Sequence, residues 1–230
     1  PRSSGRVLYV SQSPNCAGRR PCYRSIQEAV DAAAPEGDLI KVAGGVYTST
    51  TFQVISVEKS VQLLGGCQMD DWSLPCSSDS PAIIDAEDVL GRRGVVIDGS
   101  GVPTITVKGF RIRRGAAQAP GGGGVHVAGG SVILEDCVIE TCTADGVGGG
   151  LFISEGSVHV RRSIFRANAA EYGGGLYVGG GRVVLEQNTF VNNEALPLGG
   201  AIAIDAGSVT GANDLVADNA ASGAGVYLSG

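Results

Sequence analysis

The sequence predicts an all-β chain, a right-handed single-stranded parallel β-helix closed at its N-terminal end by a short α-helix. Three observations point there. The second half repeats with a period of about 24–27 residues. Each repeat carries short strands with period-two apolar alternation. Of 230 residues, 37 are glycine while only 5% are aromatic, against 43% hydrophobic. That composition suits a narrow core of small and β-branched side chains, and its apolar content is too high for disorder.

Four segments align directly: 131–156, 157–181, 182–207 and 208–230. Each opens with a strand (Val132-Ile-Leu, Val158-His-Val, Val183-Val-Leu, Val209-Thr-Gly) and passes a polar or small position at Cys137, Ser163, Asn188 and Asp214. An apolar anchor follows at Ile139, Phe165, Phe190 and Val216, then the column Cys142, Asn168, Asn193, Asn219. A glycine cluster leads to a second strand at Leu151–Ile153, Leu176–Val178, Ile202–Ile204 and Val226–Leu228. An earlier rung fits with Ile105-Thr-Val, Ile112, Gly115 and Val125–Val127. Rungs stacked about 4.8 Å apart place equivalent side chains above one another, so the anchors form one interior file and Val132, Val158, Val183 and Val209 another. Asn168, Asn193 and Asn219 are expected to form a structural ladder, each Asn sitting in a left-handed turn. The glycines supply corners where a Cβ would obstruct.

The chain is expected to be one domain over 1–230. Residues 1–38 make an N-terminal cap, 39–103 irregular rungs with a loop at 66–81, and 104–230 regular rungs. In the cap, Ser25-Ile-Gln-Glu28 is a capping box opening a helix over 25–34, with Ile26, Ala29, Val30 and Ala33 on its apolar face and Pro35-Glu-Gly37 ending it. Such a helix can plug the open end of a solenoid core. Strands are expected at Leu39–Val42, Val61–Gly66, Ala82–Ile84 and Val95–Ile97. The sequence stops at 226–230 directly after a second strand, which reads as a cut through a longer β-helix.

Six cysteines fall as close pairs, Cys16/Cys22, Cys67/Cys76 and Cys137/Cys142. The grouping favours three local disulfides, the last stapling one rung corner. Zinc spacing is absent. Disulfides imply a secreted or cell-surface protein, and neither a signal peptide nor an apolar run of membrane-spanning length is visible.

The net charge of −6 offers no basic footprint for nucleic acid. Short basic runs at Arg111, Arg113, Arg114 and at Arg161, Arg162 read as solvated faces and turns.

The series Tyr9-Val-Ser-Gln, Ser25-Ile-Gln-Glu-Ala-Val-Asp-Ala-Ala and Gly37-Asp-Leu-Ile-Lys-Val-Ala-Gly-Gly-Val-Tyr-Thr resembles the start of pectate-lyase-like β-helix proteins. Gly199-Gly-Ala-Ile202, Phe165-Arg-Ala-Asn168 and Phe190-Val-Asn-Asn193 resemble the repeats of polymorphic outer-membrane proteins. The resemblance covers nearly the whole chain and implies the fold. That superfamily holds enzymes, adhesins and structural repeats alike.

If the chain were a polysaccharide lyase or glycoside hydrolase, the resemblance would imply clustered carboxylates, with calcium and a basic residue for a lyase or a facing acid pair for a hydrolase. Asp70, Asp71, Asp85, Glu87, Asp88 and Asp98, with Arg92 and Arg93 nearby, are the candidates, Asp85 and Asp98 foremost. The competing reading makes Asp85 and Asp98 strand-end turn residues and Asp70 and Asp71 loop residues. In the regular rungs Glu135 and Glu186 share a column with Arg161 between them, which reads as a surface ion-pair ladder. His126 and His159 lie in different columns and make no metal pair. The glycine clusters lack the GK[ST] of a phosphate loop, and no GxSxG nucleophile elbow occurs.

One column reads His126, Phe152, Tyr177, Ala203, Tyr227. Alternation faces it outward, and an exposed aromatic file could stack on sugar rings or on a partner protein, or serve only cross-strand packing. The leading expectation is therefore a secreted or surface scaffold, structural or adhesive and non-catalytic, with no cofactor. Its contacts would be other surface proteins or polysaccharide, with end-to-end or lateral self-association also open and no membrane insertion. Calcium enters only under the lyase alternative.

Overall fold

The computed structural model describes residues 5–35, 37–77, 79–223 and 225–229. Glu36 of the helix stop, the first four residues of the cap and Gly230 lie outside the described residues.

The regular rungs each run through four faces. The first sheet holds Ser157–Arg161, Arg182–Glu186 and Ser208–Ala212, preceded by Asp38–Ala43, Val61–Cys67, Ile105–Lys108 and the end of Val125–Glu135. The second stacks seven strands in chain order, from Gly45–Tyr47 through Ala82–Asp85, Phe110–Arg113, Val138–Glu140, Ile164–Arg166 and Thr189–Val191 to Leu215–Ala217. The third is the short series Ala116–Ala117, Thr143–Ala144, Ala169–Tyr172, Glu194–Leu198 and Ala220–Ala221. The fourth begins at Gln53–Val57 and Arg93–Gly99 and continues through the aromatic column. Pairing between rungs is parallel, so each rung's amides are satisfied by its neighbours.

The expected interior files are present, except that Val216, expected inside, is exposed at 40%. Ile112, Ile139, Phe165, Phe190 and Val216 are in register. The Phe165 and Phe190 rings stack with centroids 4.7 Å apart and planes 6° from parallel. Val132, Val158, Val183 and Val209 form the second file.

The corners correct one expectation. The ladder asparagines are not the left-handed residues. Their predecessors are: Thr141, Ala167, Asn192 and Asp218 have φ of 51°, 52°, 54° and 53°. A matching series at the preceding corner is Asp136, Arg162, Gln187 and Asn213, with φ of 52°, 48°, 58° and 59°. Left-handed backbone turns the chain and swings the next side chain inward. Asn168 and Asn193 are consequently buried in the corner. Between the fourth and first sheets the turn is made by Gly130, Gly156, Gly181 and Gly207, all with positive φ. A Cβ on Gly181 would sit 2.3 Å from Gly156 O, so stacking admits only glycine there.

The helix, Ile26–Ala32, is shorter than the expected 25–34 because Ala33 is already extended. Its capping box between Ser25 and Glu28 is formed, and Ile26, Ala29 and Val30 enter the main core with Leu8, Ile40 and Ile55. The helix lies against Gln53–Val57, the first strand of the fourth sheet. There the Gln27 amide accepts from Ser56 N at 2.7 Å and donates to Ser56 O at 3.2 Å. One side-chain amide thus stands in for a neighbouring peptide at a sheet edge. Asp38, which the sequence did not single out, ties this region together. It is buried and accepts from Arg6 N at 2.7 Å, Ala34 N at 2.9 Å and the Arg6 guanidinium at 2.9 Å.

Candidate functional site

The two foremost carboxylates stand on different sheets and do not face each other. Asp85 ends its second-sheet strand, is 1% exposed, and accepts from Glu87 N at 2.9 Å, Arg113 Nε at 2.9 Å and Arg114 Nη2 at 2.7 Å. Burial opposes its charge, yet the hydrogen bonds from Arg114, Glu87 and Arg113 outweigh that and hold its carboxyl below the usual carboxylate range. Asp98 lies near the end of a fourth-sheet strand, exposed, accepting from Ser100 N at 3.2 Å. Both therefore make the strand-end turns that the competing reading expected. Arg92 reaches Thr51 O and Glu87, and Arg93 reaches Gly121 O and Gln118 O. Burial lowers the Arg93 pKa. Asp71 caps a turn through Ser73 N and Oγ. Among the described residues no group of three or more His, Cys, Asp or Glu side chains could hold a metal ion.

The basic runs are not free solvated turns; they are the partners of the carboxylates. Along one outward column of the second sheet Asp85, Arg113, Glu140 and Arg166 alternate in sign from rung to rung. Arg113 pairs with Asp85, and Arg166 Nε donates to Glu140 at 2.7 Å. Beside it the first-sheet column reads Lys108, Glu135, Arg161, Glu186. Glu135 is buried at 5% exposure, bonded by Lys108 at 2.8 Å, by Arg161 Nε at 3.0 Å and by Arg162. Burial opposes its charge, but the hydrogen bonds from Lys108 and Arg161 hold its carboxyl down at about 2. The expected surface ladder through Glu135, Arg161 and Glu186 is thus partly a buried knot, and Glu186 pairs with His159 at 2.9 Å instead of with Arg161.

Cys137 and Cys142 are free and buried, which overturns the third expected disulfide. They occupy opposite corners of the strand Val138–Glu140. At roughly 3.3 Å per residue they lie well beyond disulfide reach. Each thiol instead turns inward where other rungs place a ladder side chain. Cys142 N donates to Asn168 Oδ1 at 3.0 Å, and Cys137 N to Ser163 Oγ at 3.2 Å. Burial pushes both thiols up to about 12. The other two pairs, Cys16–Cys22 and Cys67–Cys76, are disulfides.

The aromatic column exists but is not an open file. His126 stacks on Phe152 at 4.8 Å and 7°, and Phe152 meets Tyr177 edge-on at 5.8 Å. Phe152 is 7% exposed because the His126 and Tyr177 rings cover it, and Ala203 is also buried. His126 bonds Ser154 Oγ at 2.9 Å, and burial, helped by the Arg93 charge, lowers its pKa to about 4. Tyr177 and Tyr227 remain half-exposed. Burial first, then the Asp205 carboxylate, raises the Tyr177 pKa.

A family model described as "Right handed beta helix region" matches residues 83–230. The chain belongs to the right-handed β-helix family. The match begins within the second-sheet strand Ala82–Asp85 and runs across the regular rungs, so the family is carried by the files, ladders and corners described above. No curated protein and no solved structure matches this β-helix.

Proposed function

We propose that this β-helix is an extracytoplasmic scaffold, structural or adhesive, that presents outward side chains on a rigid rod to surface proteins or polysaccharide. One observation carries the reading. The carboxylates most eligible for sugar chemistry are spent on the frame: Asp85 and Glu135 are buried and ion-paired across rungs, and Asp98 holds a turn on another sheet. A carboxyl held ionised by arginines is a poor general acid, since that role needs a raised pKa. The two disulfides support an oxidising compartment. Among the described residues no helix is long and apolar enough to cross a membrane.

The contact surface we assign is the fourth sheet, where Tyr177 and Tyr227 are half-exposed and Phe152, stacked on His126, supports Tyr177 edge-on. Tyr177→Ala and Tyr227→Ala are expected to weaken retention on immobilised glycan or on a surface-protein fraction while leaving the melting temperature nearly unchanged. Phe152→Ala is expected chiefly to destabilise. The competing reading is a polysaccharide lyase or hydrolase. A turnover screen on acidic and neutral polysaccharides, with and without calcium, distinguishes the two. Turnover that disappears in Asp98→Ala, with folding intact, overturns the scaffold reading.

A further inference from the structure

The two disulfide loops build a second, smaller core beside that of the solenoid. Outside the main core, Cys16, Ala43, Cys67 and Trp72 form a second buried cluster with Tyr9 and Met69 packed against it. It sits on the outer face of the first sheet, where Tyr9, Lys41 and Leu64 are in register. Trp72 Nε1 donates to Cys16 O at 3.0 Å, tying the loop of one disulfide to the loop of the other. Tyr9 N→Pro21 O, Ser11 N→Tyr23 O and Ser77 N→Gly66 O fix their backbones.

Between the segment after Val10 and the start of the Cys67–Cys76 loop lies a cleft of about 480 Å³, edged by Ser11, Gln12, Gln68, Met69, Asp70 and Ser80. Ligand pockets commonly span roughly 300–1,000 Å³. Ser11 is 2% exposed, and its hydroxyl has only the Met69 thioether, a weak acceptor, at 3.0 Å. Its oxygen already accepts from Ser13 N, so the hydroxyl proton is the part left for a better acceptor. Asp70 is exposed and forms no ion pair or side-chain hydrogen bond among the described residues. Among the described residues it is the one charged residue lining the cleft. Hydroxyls, amides and a single carboxylate match the alternating donors and acceptors of vicinal alcohols. The Met69 side chain and Cys67 give the apolar strip that a ring's C–H face covers.

Gln12 Nε2 already donates to Val46 O, which leaves its Oε1 to accept. We infer that this cleft binds a neutral sugar residue, with Asp70 and Gln12 Oε1 accepting from its hydroxyls and Ser11 donating from the floor. An acidic sugar is disfavoured, because Asp70 repels it and no cation among the described residues lines the cleft to compensate. The inference stands independently of the role assigned to the fourth sheet, which lies on another face of the rungs.

The test is saturation-transfer NMR of the whole chain with methyl glycosides of glucose, galactose, mannose and N-acetylglucosamine, with galacturonic acid as the acidic probe. Saturable binding of at least one neutral glycoside is expected, weakened about tenfold in Asp70→Ala and in Gln12→Ala. Both side chains are exposed, and unchanged circular dichroism controls for folding. Unaltered binding in Tyr177→Ala separates this cleft from the fourth sheet. No saturable binding of any neutral probe, binding undiminished in both variants, or equal binding of galacturonic acid overturns the inference.

Discussion

Asn168, Asn193 and Asn219 do two things at each corner. The side-chain oxygen accepts the corner N–H of the preceding rung, as in Asn168 N→Asn193 Oδ1 at 3.1 Å, and the amide donates to a carbonyl there, as in Asn193 Nδ2→Phe165 O at 2.9 Å. At the other corner Asn188 does the same, while Ser163 Oγ accepts from Cys137 N and the Asp214 carboxylate only accepts, from Asn188 N. Left-handed backbone costs roughly 1–2 kcal/mol at a non-glycine residue, and these bonds offset it. Asn193→Ala leaves a buried N–H and carbonyl unpaired and should cost about 3 kcal/mol by urea denaturation. The cysteines at the head of each ladder give a second check. Cys137 and Cys142 should resist alkylation in the native chain, and unfolding without reductant should expose two thiols by mass spectrometry. Labelling of none after unfolding would contradict the free-thiol assignment.

At the scale of the strand, charge is organised by column. Sign alternates along the stacking direction, so Asp85, Glu135 and Glu140 each meet an arginine or lysine from an adjacent rung. Glu135 is the most committed member, with a carboxyl near 2 against an ordinary 4.5. A depressed folded-state pKa contributes stability that is complete above the unfolded value and is lost as pH falls through the folded one. The gap in urea midpoint between the native chain and Glu135→Gln should therefore be widest near neutrality. It should close between about pH 5 and pH 2. A gap that does not change over that range would show that the knot contributes nothing through charge. The pattern was only partly legible beforehand. Glu135, Arg161 and Glu186 share a visible column, which the rung at 105–107 extends to Lys108, but Arg162 joins through a corner whose side-chain direction no periodicity specifies.

Across the whole molecule two cores coexist. The solenoid core runs continuously from Leu8 to Ile202, whereas the satellite cluster around Trp72 depends on the two disulfides. Reduction should therefore act locally. Hydrogen exchange after mild reduction is expected to quicken in 11–23 and 66–77, with the strands at 157–161 and 182–186 retaining protection. Uniform loss of protection would mean that the satellite core supports the solenoid itself.

The repeat by itself determined the fold, because stacking forces every equivalent residue into one environment and writes the interior files, ladder columns and glycine corners into the period. Phe165 and Phe190, or Asn168 and Asn193, are recognisable on that ground alone. What only the tertiary structure decided is everything that breaks the period. Cys137 and Cys142 are near in sequence yet held apart by an extended strand. Phe152 faces outward by alternation yet is covered by rings from adjacent rungs. Asp85 and Asp98, both near strand ends in sequence, stand on different sheets. The cleft at Asp70 arises where two non-repeating loops meet, and contacts between loops far apart in the chain leave no periodic trace.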